Sequence, residues 1–478
     1  MGYIKGEDRN QTILFPESID EYVSDNNSVR VIDEYVNQLN LEDLHFNRAV
    51  TPSMGRPPYH PKDMLKLYLY GYLNRIRSSR RLEKESIRNL EVIWLLQRLQ
   101  PDFKTIADFR KDNKRALKRV FRDFTKLCNN WGLFGKELIA IDGSKFRACN
   151  SKKNNYNTKK LKKNLKYLDE KIEGYLHKLD KEDKLESPDR RPGAKEIKER
   201  IKQLKDRKEK YEKYQEELKQ SGETELSTTD PDSRLMANNN NVEVCYNVQT
   251  TVDAKHKLIA DFKVTKNPSD QGQLAPMILR AKRLFHKTFE AVADKGYYNA
   301  QDLEKCTKKG ITLYVAKQTY ANATGDKAFY ACKFKYNKTK NSYLCPAGFE
   351  LYCSRARKKD GKITGYEYHN FTACKACKFK TRCTRSKKGR YIFRQIRQDL
   401  LDQIDAQTKK NFQKYKLRQM IVEHPFGTIK RGWGAYYFLT KRKVSVSAEI
   451  SLSFLAYNFK RVINILGTEE ILRRLRQR

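Results

Sequence analysis

Apolar positions change spacing along this chain, and the changes divide it. Up to about residue 125 they recur at three- and four-residue steps, as helices require. Val31, Ile32, Tyr35, Val36, Leu39 and Leu41 predict a helix over 28–44, and the stretch 64–73 is almost wholly apolar or aromatic. Gly55-Arg-Pro-Pro-Tyr-His-Pro61 reads as a loop, with Pro61 suited to open the next helix. Ser78 and Glu83 precede Ile87, Leu90, Ile93, Trp94 and Leu95, which share one helical face, and Thr105 opens a basic helix running to Leu127. The rhythm then breaks. Leu138-Ile-Ala-Ile-Asp142 is a continuous apolar run ending in a carboxylate, the pattern of a central buried strand.

Helical spacing returns across 154–224. Leu161, Leu165, Leu168, Ile172 and Leu176 form one stripe, and Ile197, Ile201, Leu204, Tyr211, Tyr214 and Leu218 form another. Ser187-Pro-Asp-Arg-Arg-Pro-Gly193 lies between them, so an antiparallel helical hairpin is expected. Its role in dimerisation, in DNA contact or as a solvated arm stays open. Val242 to Val248 alternates as a half-buried antiparallel strand should, and Leu258 to Val264 comes next after a turn. A helix over 271–286 precedes Phe289-Glu-Ala-Val-Ala-Asp294, a second apolar run ending in aspartate. A helix after Asn299, a strand Ile311 to Val315, and long helices over 395–429 and 444–466 complete the pattern.

Charge narrows the function. The 478 residues carry 99 Lys+Arg against 58 Asp+Glu, a formal +41, which makes nucleic acid the first partner to consider. A hydrophobic content of 38% with 11% aromatics suffices for a packed core, so global disorder is excluded. No apolar run reaches the roughly 18 residues of a membrane helix, and the first nine residues lack the core of a secretion signal. A cytoplasmic, nucleoid-associated protein with no membrane partner is expected. The Arg-rich N-terminal helices read as a helix-turn-helix type DNA reader or, more blandly, as a packing domain with solvated basic faces.

Asp142 and Asp294 carry the chemistry. In this strand order the first and fourth strands lie side by side, bringing both carboxylates to one edge. A buried carboxylate is costly without a cation or donors, and paired hard oxygens suit Mg²⁺. Either aspartate could instead cap a turn, given Asp142-Gly143 and Asp294-Lys-Gly296. A third carboxylate is expected from Tyr415-Lys-Leu-Arg418-Gln-Met-Ile-Val-Glu423, where Glu423, among Ile421, Val422 and Phe426, is expected to face the sheet. Lys430 lies seven residues on, near the same face, and Pro425 should bend the helix. Asp230, Asp232, Asp253 and Asp270 rank lower, as turn or capping groups.

These residues together resemble a DDE transposase of a bacterial insertion sequence. Ala140-Ile-Asp142-Gly-Ser, Ala293-Asp294-Lys-Gly-Tyr-Tyr298, and Tyr415-x-x-Arg418 with Glu423 and Lys430 carry the likeness, the last resembling the family's Tyr-Arg-Glu-Lys signature with four residues rather than three between Arg418 and Glu423. The loop 55–61 and Pro101-Asp-Phe-Lys-Thr-Ile-Ala-Asp-Phe-Arg110 resemble the N-terminal region of these enzymes. The resemblance implies an α/β (α+β) fold with a ribonuclease-H-like mixed sheet and flanking helices, in which Asp142, Asp294 and Glu423 hold two Mg²⁺ (or Mn²⁺) ions. It implies cleavage at terminal inverted repeats, strand transfer of 3′-hydroxyls into target DNA, and a homodimer. Tyr415, Arg418 and Lys430 would grip DNA, joined by Lys145 and Arg147. A Mg²⁺-dependent nuclease of the same fold and a non-catalytic DNA-binding protein are the alternatives.

The expected organisation is a helical DNA-binding region over 1–130, a catalytic core over 131–320 and 391–470, the hairpin insertion over 154–224, and a basic cysteine-containing insertion over 321–390. Within the last, Cys345, Cys374, Cys377 and Cys383 are expected to hold one structural Zn²⁺, with Cys332 or Cys353 as substitutes. Reduced cysteines without metal are the alternative there, and Cys128, Cys149, Cys245 and Cys306 are expected to be plain thiols.

Overall fold

The computed structural model describes residues 18–50, 57–183, 191–238 and 241–477. Six helices come first: α1 (Ser28–Asn37), α2 (Pro61–Leu73), α3 (Ser79–Arg88), α4 (Leu90–Leu95), α5 (Phe103–Asp112) and α6 (Lys114–Asn130). Helix α1 stops seven residues short of the expected end, yet Leu39 and Leu41 stay buried in the turn beyond it. Pro61 opens α2, and the His60 ring caps it by accepting from the Lys62 amide at 3.2 Å. The first half of the expected 55–61 loop lies outside the described residues.

One mixed sheet organises the middle of the chain. Its strands are β1 (Leu138–Arg147) and, after the small pair β2 (Asn155–Asn157) and β3 (Glu225–Ser227), β4 (Arg234–Asn238), β5 (Asn241–Asp253), β6 (Ile259–Thr265), β7 (Glu290–Ala293) and β8 (Thr312–Val315). β5 lies antiparallel to β1 and carries β4 and β6 on its other edge, while β7 runs parallel to β1 and β8 parallel to β7. Helices α9 (Leu274–Phe285) and α10 (Ala300–Thr307) connect the last three strands. Strand β5 corrects one expectation: from Val244 onward it is buried on both faces, because β1, β4 and β6 flank it and helices cover it.

The hairpin forms as α7 (Thr158–Asp183) and α8 (Arg191–Ser221), closed at its base by the β2–β3 pair. Leu161, Leu168, Tyr211 and Leu218 make its small core. Its expected Pro/Gly turn lies largely outside the described residues. The cysteine-containing region holds an antiparallel five-stranded sheet that its spacing did not announce. The strands are β9 (Lys335–Asn337), β10 (Ser342–Leu344), β11 (Glu350–Lys359), β12 (Lys362–His369) and, after the short helices α11 (Phe371–Lys375) and α12 (Lys380–Cys383), β13 (Tyr391–Gln395). The expected 395–429 helix is two, α13 (Gln398–Lys410) and α14 (Phe412–Phe426), broken at Asn411. Pro425 sits inside α14, which passes into a π turn over Gly427–Gly432.

Helices α15 (Lys443–Leu466) and α16 (Thr468–Arg476) end the chain. A helix whose apolar residues fall on more than one face must be covered on more than one face. α15 is buried from Ala448 through Phe459, packed by β6 on one side and by α2 and α6 on another. The N-terminal helices and the sheet therefore share one continuous core from Val23 to Leu475. Phe459 stacks on Phe124 at 4.3 Å and meets Tyr35 edge-on at 5.2 Å. Among the described residues no helix is long and apolar enough to cross a membrane. Because the core is shared, Phe459→Ala should cost about 3–5 kcal/mol and lower one common unfolding transition of α1–α6 and the sheet, read by calorimetry.

Candidate active site

Strand register builds the site. Leu138 to Ile141 pair in parallel with Glu290 to Ala293, so the next residue of β1 is Asp142 and the next after β7 is Asp294. Because β7 stops at Ala293, the edge of β1 opens into a cleft from Asp142 onward. Helix α14 lies across that cleft, packed on both β1 and β7. Its Arg418 reaches both aspartates, Nη1 standing 3.5 Å from Asp142 Oδ2 and Nη2 3.8 Å from Asp294 Oδ1. Tyr415, one turn earlier, stands near both Asp294 and Arg418; burial, with the Asp294 charge, pushes its hydroxyl above the usual tyrosine range.

Burial pushes the Asp142 carboxyl up to about 6. Arg418 and the Gly143 amide, which donates to Oδ1 at 2.9 Å, pull it down, while Asp270 and Asp294 add to the rise. A quarter of the side chain still reaches solvent.

The other expected residues are placed less uniformly. Lys430 does not face open solvent: its Nζ donates to the Lys145 carbonyl at 2.7 Å and the Ser144 hydroxyl at 3.0 Å, closing the free edge of β1. Lys145 turns to Asp270 at 3.3 Å, and Arg147 pairs with Glu243 at 3.3 Å. Glu423 corrects the expectation that it faces the sheet. It is exposed and accepts from Gln419 Nε2 at 2.8 Å. The reason is helical geometry: Arg418, Ile421 and Val422 take the inner face, and a residue five places beyond Arg418 is turned well away from it.

Asp270 stands beside the pair, where turn chemistry alone did not place it. Its Oδ1 accepts from Asn247 Nδ2 and Gln249 Nε2, both at 2.7 Å. Gln249 in turn accepts from the buried Tyr297 hydroxyl in the turn after Asp294. Gly143 makes room for this carboxylate, whereas Gly296 borders it at ordinary contact distance. A Cβ at Gly143 would lie 2.7 Å from Asp270 Oδ1, and one at Gly296 would lie 3.7 Å from Oδ2. Polar Asn247 and Gln249 at alternate positions of an otherwise buried strand were the available signal. The other competing aspartates are structural. Asp253 accepts from the Gly135, Lys136 and Lys255 amides, Asp230 from Tyr246 and Arg442, and Asp232 from the Lys443 amide.

Cys345, Cys374, Cys377 and Cys383 line one apolar pocket with Phe329, Phe334, Phe349 and Leu351. Burial, more than the neighbouring thiols, pushes Cys383 up to about 11. Among the described residues, no group of three or more His, Cys, Asp or Glu side chains is arranged to hold a metal ion, at the cysteines or at the aspartates. Cys128, Cys245 and Cys306 are buried and Cys149 half-buried, all as free thiols.

The carboxylate environment has a pH signature. Between about pH 4, the ordinary carboxylate range, and about 6, the folded chain keeps a proton on Asp142 that the unfolded chain has released. Asp142 therefore contributes less stability as pH rises through that window. Denaturation in chelator should show wild type losing ground to Asp142→Asn from about pH 4 to about 6, with a constant difference above it.

Two family models match the chain. Residues 17–112 match the family described as "Transposase domain (DUF772)", and residues 344–463 match "Transposase DDE domain". The second match covers Tyr415, Arg418, Glu423 and Lys430, whereas Asp142, Asp270 and Asp294 lie outside both. No curated protein and no solved structure matches the chain. Both matched segments carry transposase descriptions, and together they make the chain similar to the DDE transposases of insertion sequences.

Proposed function

We propose that this transposase cleaves phosphodiesters at the terminal inverted repeats of its element and joins the freed 3′-hydroxyls to target DNA, acting as a homodimer on a ribonuclease-H-like sheet. The observation that carries the chemistry is the meeting of Asp142 and Asp294 on adjacent parallel strands with one guanidinium between them. The strand order β6-β5-β1-β7-β8, with β1, β5 and β6 successively antiparallel and β7 and β8 parallel to β1, supports the ribonuclease-H-like reading. The homodimer and the terminal repeats rest on the family alone.

Divalent cations fit the pair. The donors are hard carboxylate oxygens, and Arg418 already stands where positive charge is wanted. Asp142 and Asp294 would hold Mg²⁺ or Mn²⁺, and the chemistry such ions supply when bound is Lewis-acid stabilisation of the attacking and leaving oxygens. Arg418 neutralises the aspartates and presents a fork suited to phosphate. Tyr415 stands near Asp294, and Lys430 braces the strand that carries Asp142. The distributed basic surface supplies most of the affinity for duplex DNA.

Glu423 is proposed as the third carboxylate. What supports it is its place on α14, the helix that brings Tyr415 and Arg418 to the site, and its inclusion in the matched DDE segment. Asp270 is the second reading, favoured by its position beside Gly143 and Gly296. The zinc reading of Cys345, Cys374, Cys377 and Cys383 rests on their convergence on one pocket. The 1–130 helices as reader of the repeats, and the other segment boundaries, are likewise proposals.

Asp142→Ala and Asp294→Ala should each lower cleavage and strand transfer about a hundredfold or more while leaving duplex binding nearly unchanged. Glu423→Ala should match them, with Asp232→Ala near wild type and Asp270→Ala only mildly impaired. Full activity of Glu423→Ala with loss in Asp270→Ala would transfer the third role to Asp270. Cleavage without joined products in a plasmid strand-transfer assay would reduce the protein to a nuclease. Metal analysis of chain purified without chelator should find one zinc, lost in Cys374→Ser/Cys377→Ser; its absence from active protein would make these plain thiols.

A further inference from the structure

The five-stranded sheet between β8 and α13 has one covered face and one open face. Tyr343, Leu351, Tyr368 and Ile392 build the small core on the covered side. Strand pairing assigns the open side: Tyr352, His369 and Tyr391 stand in one row, Arg355, Glu367 and Phe393 in the next, and Arg357 and Gly365 beyond. Tyr352, Tyr391 and Phe393 are 56%, 47% and 41% exposed, unusual for three aromatics on one small sheet.

This face is organised rather than merely uncovered. Glu367 is buried and accepts from both Arg355, at 2.6 Å, and Arg357, which fixes the two guanidinium groups. Arg357 lies over the rings of Tyr391 and Phe393, 5.6 and 5.7 Å from their centroids. Gly365 lets β13 and the Phe393 ring come close to β12, since a Cβ there would meet the Arg394 carbonyl and, at 2.6 Å, Phe393 Cζ. The surroundings are strongly basic: residues 321–396 contain nineteen Lys and Arg against four Asp and Glu.

Flat aromatic faces at the surface of a sheet, interleaved with arginines, suit unpaired bases: rings stack on bases while cations track the phosphates. Duplex DNA offers phosphates but keeps its base faces stacked inside. We propose that this open face binds single-stranded DNA, with Tyr391 and Phe393 stacking on bases and Arg355 and Arg357 meeting the backbone. The choice of DNA over RNA rests on the transposase matches; the stacking does not depend on the catalytic proposal.

The test uses the full chain in chelator, so that no cleavage contributes, with fluorescent dT20, rU20 and a 20-base-pair duplex as probes. Tyr391→Ala/Phe393→Ala should weaken dT20 binding about tenfold or more and leave duplex binding within about twofold. Tyr391→Leu/Phe393→Leu keeps the apolar cover but removes the ring faces, and the same selective loss is expected. Unchanged dT20 binding in either double variant, or equal losses for dT20 and duplex, would overturn the stacking surface. Tighter binding of rU20 than dT20 would overturn its assignment to DNA.

Discussion

The parallel register of β1 and β7 is the constraint on which the site depends. With Ile141 opposite Ala293, two apolar strands end level, and Asp142 and Asp294 emerge together at the mouth of the cleft. Two carboxylates there repel each other and lose solvation, which the rise at Asp142 expresses. Arg418 offsets that cost, and it can do so only because α14 packs on both strands at once. A slip of one residue in the β1–β7 pairing would separate the carboxylates and leave Arg418 serving one of them.

A second layer of polar contacts holds the loops in this position. Tyr297 ties the turn after Asp294 to Gln249 of β5; Gln249 and Asn247 hold Asp270, which also takes Lys145 of β1. The network is buried, so leaving any member unpaired would be costly. Gly143 reads locally as a turn residue, but the space it leaves is occupied by Gln249, Asp270 and Asn247. Lys430 and Arg147 are equally committed: both have protein partners, and Lys430 shapes the edge of β1.

Helix α15 gives the molecule its unity. Its central turns are buried on every side, and the sheet and the N-terminal helices supply that cover jointly. The basic helices before β1 are thus braced on the mixed sheet instead of hanging from a linker. Lys66, on buried α2, pairs with Asp33 at 2.7 Å and serves packing. The hairpin and the cysteine-bearing sheet keep small cores of their own at the periphery.

The sequence by itself determined the parts set by local periodicity and short-range chemistry. The apolar runs ending in Asp142 and Asp294, the two stripes of the hairpin and the start of α2 at Pro61 were all legible, because burial period and cap chemistry act over a few residues. The adjacency of β1 and β7 came from strand order. Only the tertiary structure decided which side chains converge. Asp270 joins Asn247, Gln249 and, from a distant strand, Lys145, a meeting no local pattern encodes. Glu423 faces solvent because Arg418 and Val422 claim the inner face of α14, a competition settled by packing. The five strands around the cysteines have no clear apolar spacing because most of their residues are exposed and the open side mixes charges with aromatics, so pairing between strands supplied the order.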